Sequence, residues 1–174
     1  MIETPRIRLL PWAERHRPGF AAMCRDAAVM RDLGGPLDEA ASFAKMAGYA
    51  EAHALQGFCR WAMETHAGAF LGYAGVMARP PDHPLGAHFD IGWRLARHAW
   101  GFGYATEAAG AALQDFFQRN PAAEVLAYTA PDNLRSQAVM ARLKLRRDTA
   151  RDFTASDGAL QWHGLVWVAD RAAW

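Results

Sequence analysis

Polar and apolar positions along this chain follow two different periods, and each change of period marks an element. "RIRLLPW" reads as a short strand stopped by Pro11, because proline brings no amide hydrogen to a sheet. Two helical stretches follow, Ala13 to Asp32 and Leu37 to Leu55, parted by the breaker Gly34-Gly35-Pro36. In "FCRWAMET" the period falls to two, with Cys59, Trp61 and Met63 on one face and Arg60, Ala62 and Glu64 on the other. His66-Ala67-Gly68 turns the chain and "AFLGYAGVMA" completes a hairpin. After a loop enforced by Pro80, Pro81 and Pro84, "HFDIGWRL" sets Phe89, Ile91, Trp93 and Leu95 against His88, Asp90, Gly92 and Arg94.

Helical spacing then returns. Ala105, Ala108, Ala109, Ala112, Leu113 and Phe116 recur until Asn120-Pro121 ends the pattern, and "EVLAYT" is a compact strand. Strand, glycine loop, helix and strand form a βαβ-like unit. A further helix begins near Asp132-Asn133, both favoured caps, with Leu134, Ala138, Ala141 and Leu145 on one face. "ALQWHGLVWVA" reads as the last strand. No repeat, charge block or low-complexity linker interrupts this order, so the expectation is one α/β domain over residues 1–174.

Composition narrows the function. The 174 residues are 52% hydrophobic, enough for a full core. Nineteen basic against 18 acidic residues leave a net charge of +1, which gives no general attraction to nucleic acid or to a membrane surface. Cys24 and Cys59 lack CxxC spacing and read as buried free thiols. The histidines show no HxH or HExxH spacing, so no metal is expected. The N-terminal "MIETPRIRLL" has no apolar signal core, and no run approaches the ~18 apolar residues of a membrane span, so a cytoplasmic location is expected.

"RHAWGFGYATEA" is the segment with candidate chemistry. Its two glycines stand where a strand gives way to a helix, and they fit either a turn needing positive φ or an anion cradle at the helix N-terminus. A P-loop is excluded, because Tyr104 and Ala105 follow Gly103 where lysine and a hydroxyl are required. A dinucleotide fingerprint fails too: Arg97 to Trp100 separate the strand from the glycines, and Glu124 begins the next strand instead of ending it.

"DIGWRLARHAWGFGYATEA" resembles the acetyl-CoA loop of the GNAT superfamily, whose Gln/Arg-x-x-Gly-x-Gly/Ala pattern falls on His98, Gly101 and Gly103. "TAPDNLRSQAVMARLKL" resembles the following motif of its RimJ/RimL-like branch. The resemblance implies a mixed, mostly antiparallel twisted sheet flanked by helices and opened between the "HFDIGWRL" and "EVLAYT" strands. Acetyl-CoA would lie there as co-substrate. The backbone of Trp93, Arg94 and Leu95 would pair with the pantetheine amides, and N–H groups of Gly101, Phe102, Gly103, Tyr104, Ala105 and Thr106 would hold the pyrophosphate, with His98 and Arg97 beside them. Lys144 stands where the family has a glycine, so either that helix ends without a left-handed cap or Lys144 carries a strain of about 1 kcal/mol.

The implied reaction is direct attack of a neutral amine on the acetyl thioester. A lysine amine, pKa about 10.4, is almost wholly protonated at pH 7, and an α-amine, about 7.7 to 8.0, much less so; either calls for a base. Asp90 is the candidate, since the family branch commonly has an acid at this strand position. The tyrosine that protonates the leaving thiolate in many members is replaced by Met140, which leaves Asn133 and Ser136 to fix the pantetheine and sulfur, Ser136 donating the proton directly or by relay. His163, Tyr128, His88 and Trp61 remain open between packing and function. No GxSxG elbow supports a hydrolase triad. The expected acceptor is a peptide or protein N-terminus or a small apolar amine, framed by Trp12, Phe58, Trp61, Tyr128 and Trp162, because Asp26, Asp32, Asp38 and Glu39 form no dense acidic run for a polycation. A drug or polyamine acetyltransferase and a CoA-binding module without turnover are the rival readings. A homodimer is left open.

Overall fold

The computed structural model describes residues 1–157 and 160–174, without the side chains of residues 157 and 160. Among them nine strands run in the order β1-β2-β3-β4-β5-β6-β9-β7, with β8 paired to β9. They are β1 (Ile2–Glu3), β2 (Ile7–Leu10), β3 (Arg60–Thr65), β4 (Phe70–Arg79), β5 (His88–Leu95), β6 (Glu124–Thr129), β7 (Arg146–Arg147), β8 (Phe153–Asp157) and β9 (Leu160–Asp170). The helices are α1 (Arg17–Arg25), α2 (Ala27–Met30), α3 (Glu39–Gln56), α4 (Tyr104–Arg119) and α5 (Leu134–Arg142).

All ladders are antiparallel except that of β5 with β6, which consists of the single rung Asp90↔Leu126. The expected mixed, mostly antiparallel and open sheet is therefore found. On one face the alanines of α4, Ala108, Ala109 and Ala112, let the helix lie close to Trp61, Met63, Ile91 and Val125, with Leu113 and Phe116 filling the rest. On the other face, α1 to α3 cover the sheet with Phe20, Met23, Cys24, Met30 and Met46 against Tyr73. Both cysteines are buried and free, and burial pushes the Cys59 thiol up to about 12.

Three expectations change. The stretch Ala13 to Asp32 is not one helix: 3-10 turns flank α1 and α2, and the chain breaks at Asp26, φ −75° and ψ 112°. There the Asp26 carboxylate accepts from Ala28 N at 2.9 Å and starts α2, a local capping choice that competes with helix continuation. The alternation in β3 does not separate core from solvent, because helices cover both faces; Arg60 and Glu64 are buried and paired. In α5 the buried side carries Val139 and Met140, while Leu134 is 71% exposed.

The end of α5 decides the Lys144 alternative. Leu145 N–H donates to Met140 O and Lys144 N–H to Ala141 O, the paired bonds of a Schellman cap, and Lys144 occupies the left-handed position with φ 56°. A side chain there costs about 1–2 kcal/mol, partly offset by the ~0.5–1 kcal/mol of chain entropy that glycine loses. Lys144→Gly is therefore expected to stabilise the fold by up to about 1 kcal/mol in urea denaturation. A loss of stability would show that the cap is not strained.

Candidate active site

Beyond the Asp90↔Leu126 rung, β5 and β6 separate. Each keeps its outer partner: Trp93, Arg94 and Leu95 pair with Ala74, Tyr73 and Gly72 of β4, and Ala127 to Thr129 pair with Trp167 to Leu165 of β9. Their inner edges carry backbone donors and acceptors without a strand partner, which suits an extended chain with amides of its own.

The open end of β5 leads into a 3-10 turn, Arg97–Ala99, and then the glycine loop. Gly101 and Gly103 both adopt left-handed backbone, φ 86° and 81°, so the turn reading of the glycines holds. The cradle reading is compatible with it. Gly103 is the N-cap of α4 and supplies no side-chain cap, so the first N–H groups of the helix lack a side-chain acceptor. A Cβ at Gly101 would meet nothing within 4 Å, so the space before the loop is open. The Thr106 hydroxyl, in the first turn, is buried without a partner. Free donors, an open approach and the positive end of a 16-residue helix fit a phosphate ester.

The two basic residues expected beside this cradle are engaged elsewhere. Arg97 Nε donates to Asp26 at 2.9 Å, and His98 Nε2 lies 3.1 Å from Phe70 O; both line a cavity of about 260 Å³ with Gly19, Ala22 and Met23 of α1. The cation at the loop is Arg6, which periodicity did not single out. It donates to Phe102 O at 2.8 Å and to Glu107 at 2.6 Å, and its guanidinium lies 5.0 Å from the Tyr104 ring centre. Partial burial works against the Glu107 charge, but hydrogen bonds from Thr4 and Arg6 outweigh it and hold that carboxyl below its usual range. Only an Arg near the N-terminus and a Glu in the first turn of α4 hinted at this link, and they are about a hundred residues apart.

Across the fork, Asn133 caps α5, its carbonyl oxygen accepting from Ser136 N at 3.1 Å and its amide donating to Asp32 at 2.6 Å. Arg94 reaches from β5 to Val29 O, so the α2 segment is tied to both arms. The structure thus links Arg94 of β5 and Asn133 at the start of α5 through the α2 segment, and the Arg135 guanidinium, beside Ser136, lies 4.2 Å from the Trp100 ring centre at the glycine loop.

Asp90 departs from its expected role. It is 3% exposed and lies on the face covered by α1 to α3. Arg60 donates to its carboxylate at 2.5 Å and to its carbonyl at 2.8 Å, and Arg79 donates to the carboxylate at 2.9 and 3.2 Å. Burial alone would raise its pKa, but the charges of Arg60 and Arg79 outweigh it and hold the carboxyl below the usual range. A carboxylate so satisfied is a poor proton acceptor.

The five aromatics expected around the acceptor do not assemble. Trp12 packs with Phe20 and Tyr49, Phe58 with Phe89 and Phe116, and Trp61 with His53. Tyr128 and Trp162 do meet, at 6.1 Å, and His83, His88 and Phe153 complete a cluster on the Asp90 side of the sheet. His163 stands outside it, its Nδ1 2.9 Å from the Thr154 hydroxyl. Among the described residues no group of three or more His, Cys, Asp or Glu side chains is placed to hold a metal, and no helix is long and apolar enough to cross a membrane.

Residues 6–146 match the family described as Acetyltransferase (GNAT) domain. The chain belongs to the GNAT acetyltransferase family, and its acetyl donor is acetyl-CoA. Its fold is similar to that of a GNAT-family acetyltransferase from Bacillus anthracis, with a TM-score of 0.81 at 18% identity over 98% of both chains. It is also similar to the RimL ribosomal L7/L12 alpha-N-protein acetyltransferase in complex with coenzyme A, with a TM-score of 0.75 at 15% identity, covering 96% of this chain and 95% of that one. A third similar structure is the microcin C7 self-immunity acetyltransferase MccE with acetyl-CoA and AMP, with a TM-score of 0.77 at 14% identity over 96% and 93%.

Removing the Asp90 charge should reveal its structural weight. Asp90→Asn leaves buried Arg60 uncompensated and is expected to cost about 3–5 kcal/mol in denaturant. Because the folded pKa lies below the unfolded value, near 3.9, the stabilisation is complete above that value and is lost as pH falls through the folded pKa. The stability gap between wild type and variant should accordingly narrow with acid. A variant of native stability whose only defect is a rate restored at high pH would return Asp90 to the role of base.

Proposed function

We propose that this enzyme transfers the acetyl group of acetyl-CoA to a single primary amine of apolar character, the N-terminal amine of a peptide or protein or a small monoamine. The observation that carries the reading is the meeting of two unpaired strand edges with the uncapped, glycine-led start of α4. The backbone of Trp93 to Leu95 takes the pantetheine amides, and N–H groups of Gly101 to Thr106, with Arg6 beside them, take the pyrophosphate. Asn133 and Ser136 hold the sulfur end, Ser136 being the donor toward it. When bound, the donor supplies an activated acyl thioester; this chain's own residues orient it and keep the amine and thioester together.

The acceptor class rests on charge and aromatic surface. Four acids near the first helices already have partners: Asp26 binds Arg97, Asp32 binds Asn133, Asp38 caps α3 and Glu39 lies 3.8 Å from Arg25. These four form no open acidic patch for a second or third ammonium, whereas the Tyr128–Trp162 cluster offers ring faces to one cation with an apolar neighbour. The similar RimL structure, by name an alpha-N-protein acetyltransferase, lends weight to an N-terminal acceptor.

Two measurements test this. Acetyl-CoA should raise the melting temperature of the wild type, and Gly103→Asp, which adds a negative charge at the cradle, should abolish the rise. The left-handed site also strains that variant by about 1 kcal/mol, so the readout is the ligand-induced increment. An undiminished increment would mislocate the phosphates. In direct competition at equal concentration, peptides with an apolar first residue and aromatic monoamines should show a higher kcat/KM than spermidine. A tenfold advantage for spermidine over every apolar amine would overturn the acceptor class.

A further inference from the structure

With Asp90 satisfied by two arginines, the proton of the incoming ammonium needs another destination, and the aromatic cluster contains one. His88 opens β5, two residues before Asp90 and on the same face. Its Nδ1 lies 2.8 Å from Gly86 O, and a carbonyl only accepts, so Nδ1 carries the hydrogen. In the neutral ring Nε2 is then a bare lone pair, and it is buried without a hydrogen-bond partner. A buried acceptor left empty costs about 1–3 kcal/mol, which a ligand donating to it would recover.

Its neighbour has the opposite tautomer. His83 Nδ1 accepts from Leu85 N–H at 3.1 Å, so the neutral ring keeps its hydrogen on Nε2 and has no free lone pair. Burial, then the charges of His88 and Arg79, push the His83 pKa below its ordinary value. The phenol of Tyr128, 5.9 Å from His88 between ring centres, is pushed up by burial and by the Asp90 charge and stays protonated. Around His88 lie neutral His83, Tyr128 of β6, Arg79 of β4 in the same register row and Asp90 two residues on, with the exposed Asp82 of the proline loop acting on His83. Asp90 is shared between Arg60 and Arg79, so this group of three is net positive and offers the ammonium no carboxylate of its own. Among these groups only His88 combines a fixed tautomer with an unused lone pair, and it lies one step from the rung where the sheet opens.

We infer that His88 Nε2 is the general base of the transfer, taking a proton from the acceptor ammonium directly or across one water. The inference rests on the transfer reading above. The ammonium gives one proton to Nε2, its nitrogen forms the new bond to the acetyl carbon as the carbon–sulfur bond breaks, and its second proton goes to the departing thiolate. Amine and thioester become amide and thiol, and His88 returns its proton to water.

The test compares wild type and His88→Gln by release of CoA thiol, across pH, with tripeptides bearing Ala, Ser or Phe first and with phenethylamine. The variant should be about a hundredfold or more slower at neutral pH, its rate recovering as pH rises through the pKa of the free amine, with the acetyl-CoA-induced rise in melting temperature retained. A variant that keeps the wild-type rate and pH profile, or one whose lost rate does not recover at high pH, overturns the role of His88 and leaves the transfer reading standing. A wild type that binds acetyl-CoA yet releases no thiol with any of these amines overturns both. Should the variant fail to fold, nitrogen NMR of the wild-type imidazole decides: a bare Nε2 that shifts on adding the amine supports the role, and an Nε2–H tautomer or an unmoved signal overturns it.

Discussion

Arg60 reaches Asp90 across three strands, and the opening of the sheet is built around that contact. Arg60, Gly75 and Gly92 stand in one register row, and a Cβ at Gly92 would lie 2.7 Å from the guanidinium, so glycine there leaves the channel through which the arginine runs. The carboxylate it meets belongs to the residue that forms the single parallel rung with β6. Arg79 adds a second charge from β4. Buried charges are unfavourable unless paired and hydrogen-bonded, and Arg60 adds bonds to the Gly75 and Asp90 carbonyls to its share of the carboxylate. These contacts tie β3, β4 and β5 together just before the point where β6 leaves them.

Two sides of one opening follow from this. Toward the outer end, Trp93 to Leu95 keep their β4 partners and leave the other edge free, and the glycine loop turns the helix N-terminus of α4 toward the same space. On the Asp90 face, the start of β5, the proline loop, β6 and the paired strands β8 and β9 bring His83, His88, Tyr128, Phe153 and Trp162 together. In the proposed reading, donor and acceptor are approached by different parts of the chain, backbone for one and rings for the other. The α2 segment joins them, since Val29 O takes Arg94 while Asp32 takes the Asn133 amide.

Much of this was legible in the sequence where the cause is local. The "EVLAYT" strand is β6 in full, and "HFDIGWRL" is β5, because alternation and nearby breakers decide both. The glycine pair marked the start of α4 because left-handed backbone is a demand of single residues. What could not be read is non-local. Asp90 looks like a free acid on a strand until Arg60, thirty residues earlier, is placed against it. Arg97 and His98 look like phosphate anchors until Asp26, between α1 and α2, and Phe70 O, at the start of β4, claim them. Periodicity in α5 put Leu134 inside, and the α4 contact of Met140 and Leu143 rotated that face away. His88 stayed open between packing and function for another reason: the proposed role depends on which ring nitrogen a loop carbonyl holds.

The central claim is that an extended donor lies between the free edges of β5 and β6 with its phosphates at the start of α4. Hydrogen–deuterium exchange with and without acetyl-CoA reads those backbone groups directly. The account predicts new protection in the peptides covering residues 92–95 and 101–106, with the β3–β4 hairpin unchanged. Saturating acetyl-CoA that protects other segments and leaves these two exchanging as before would contradict it.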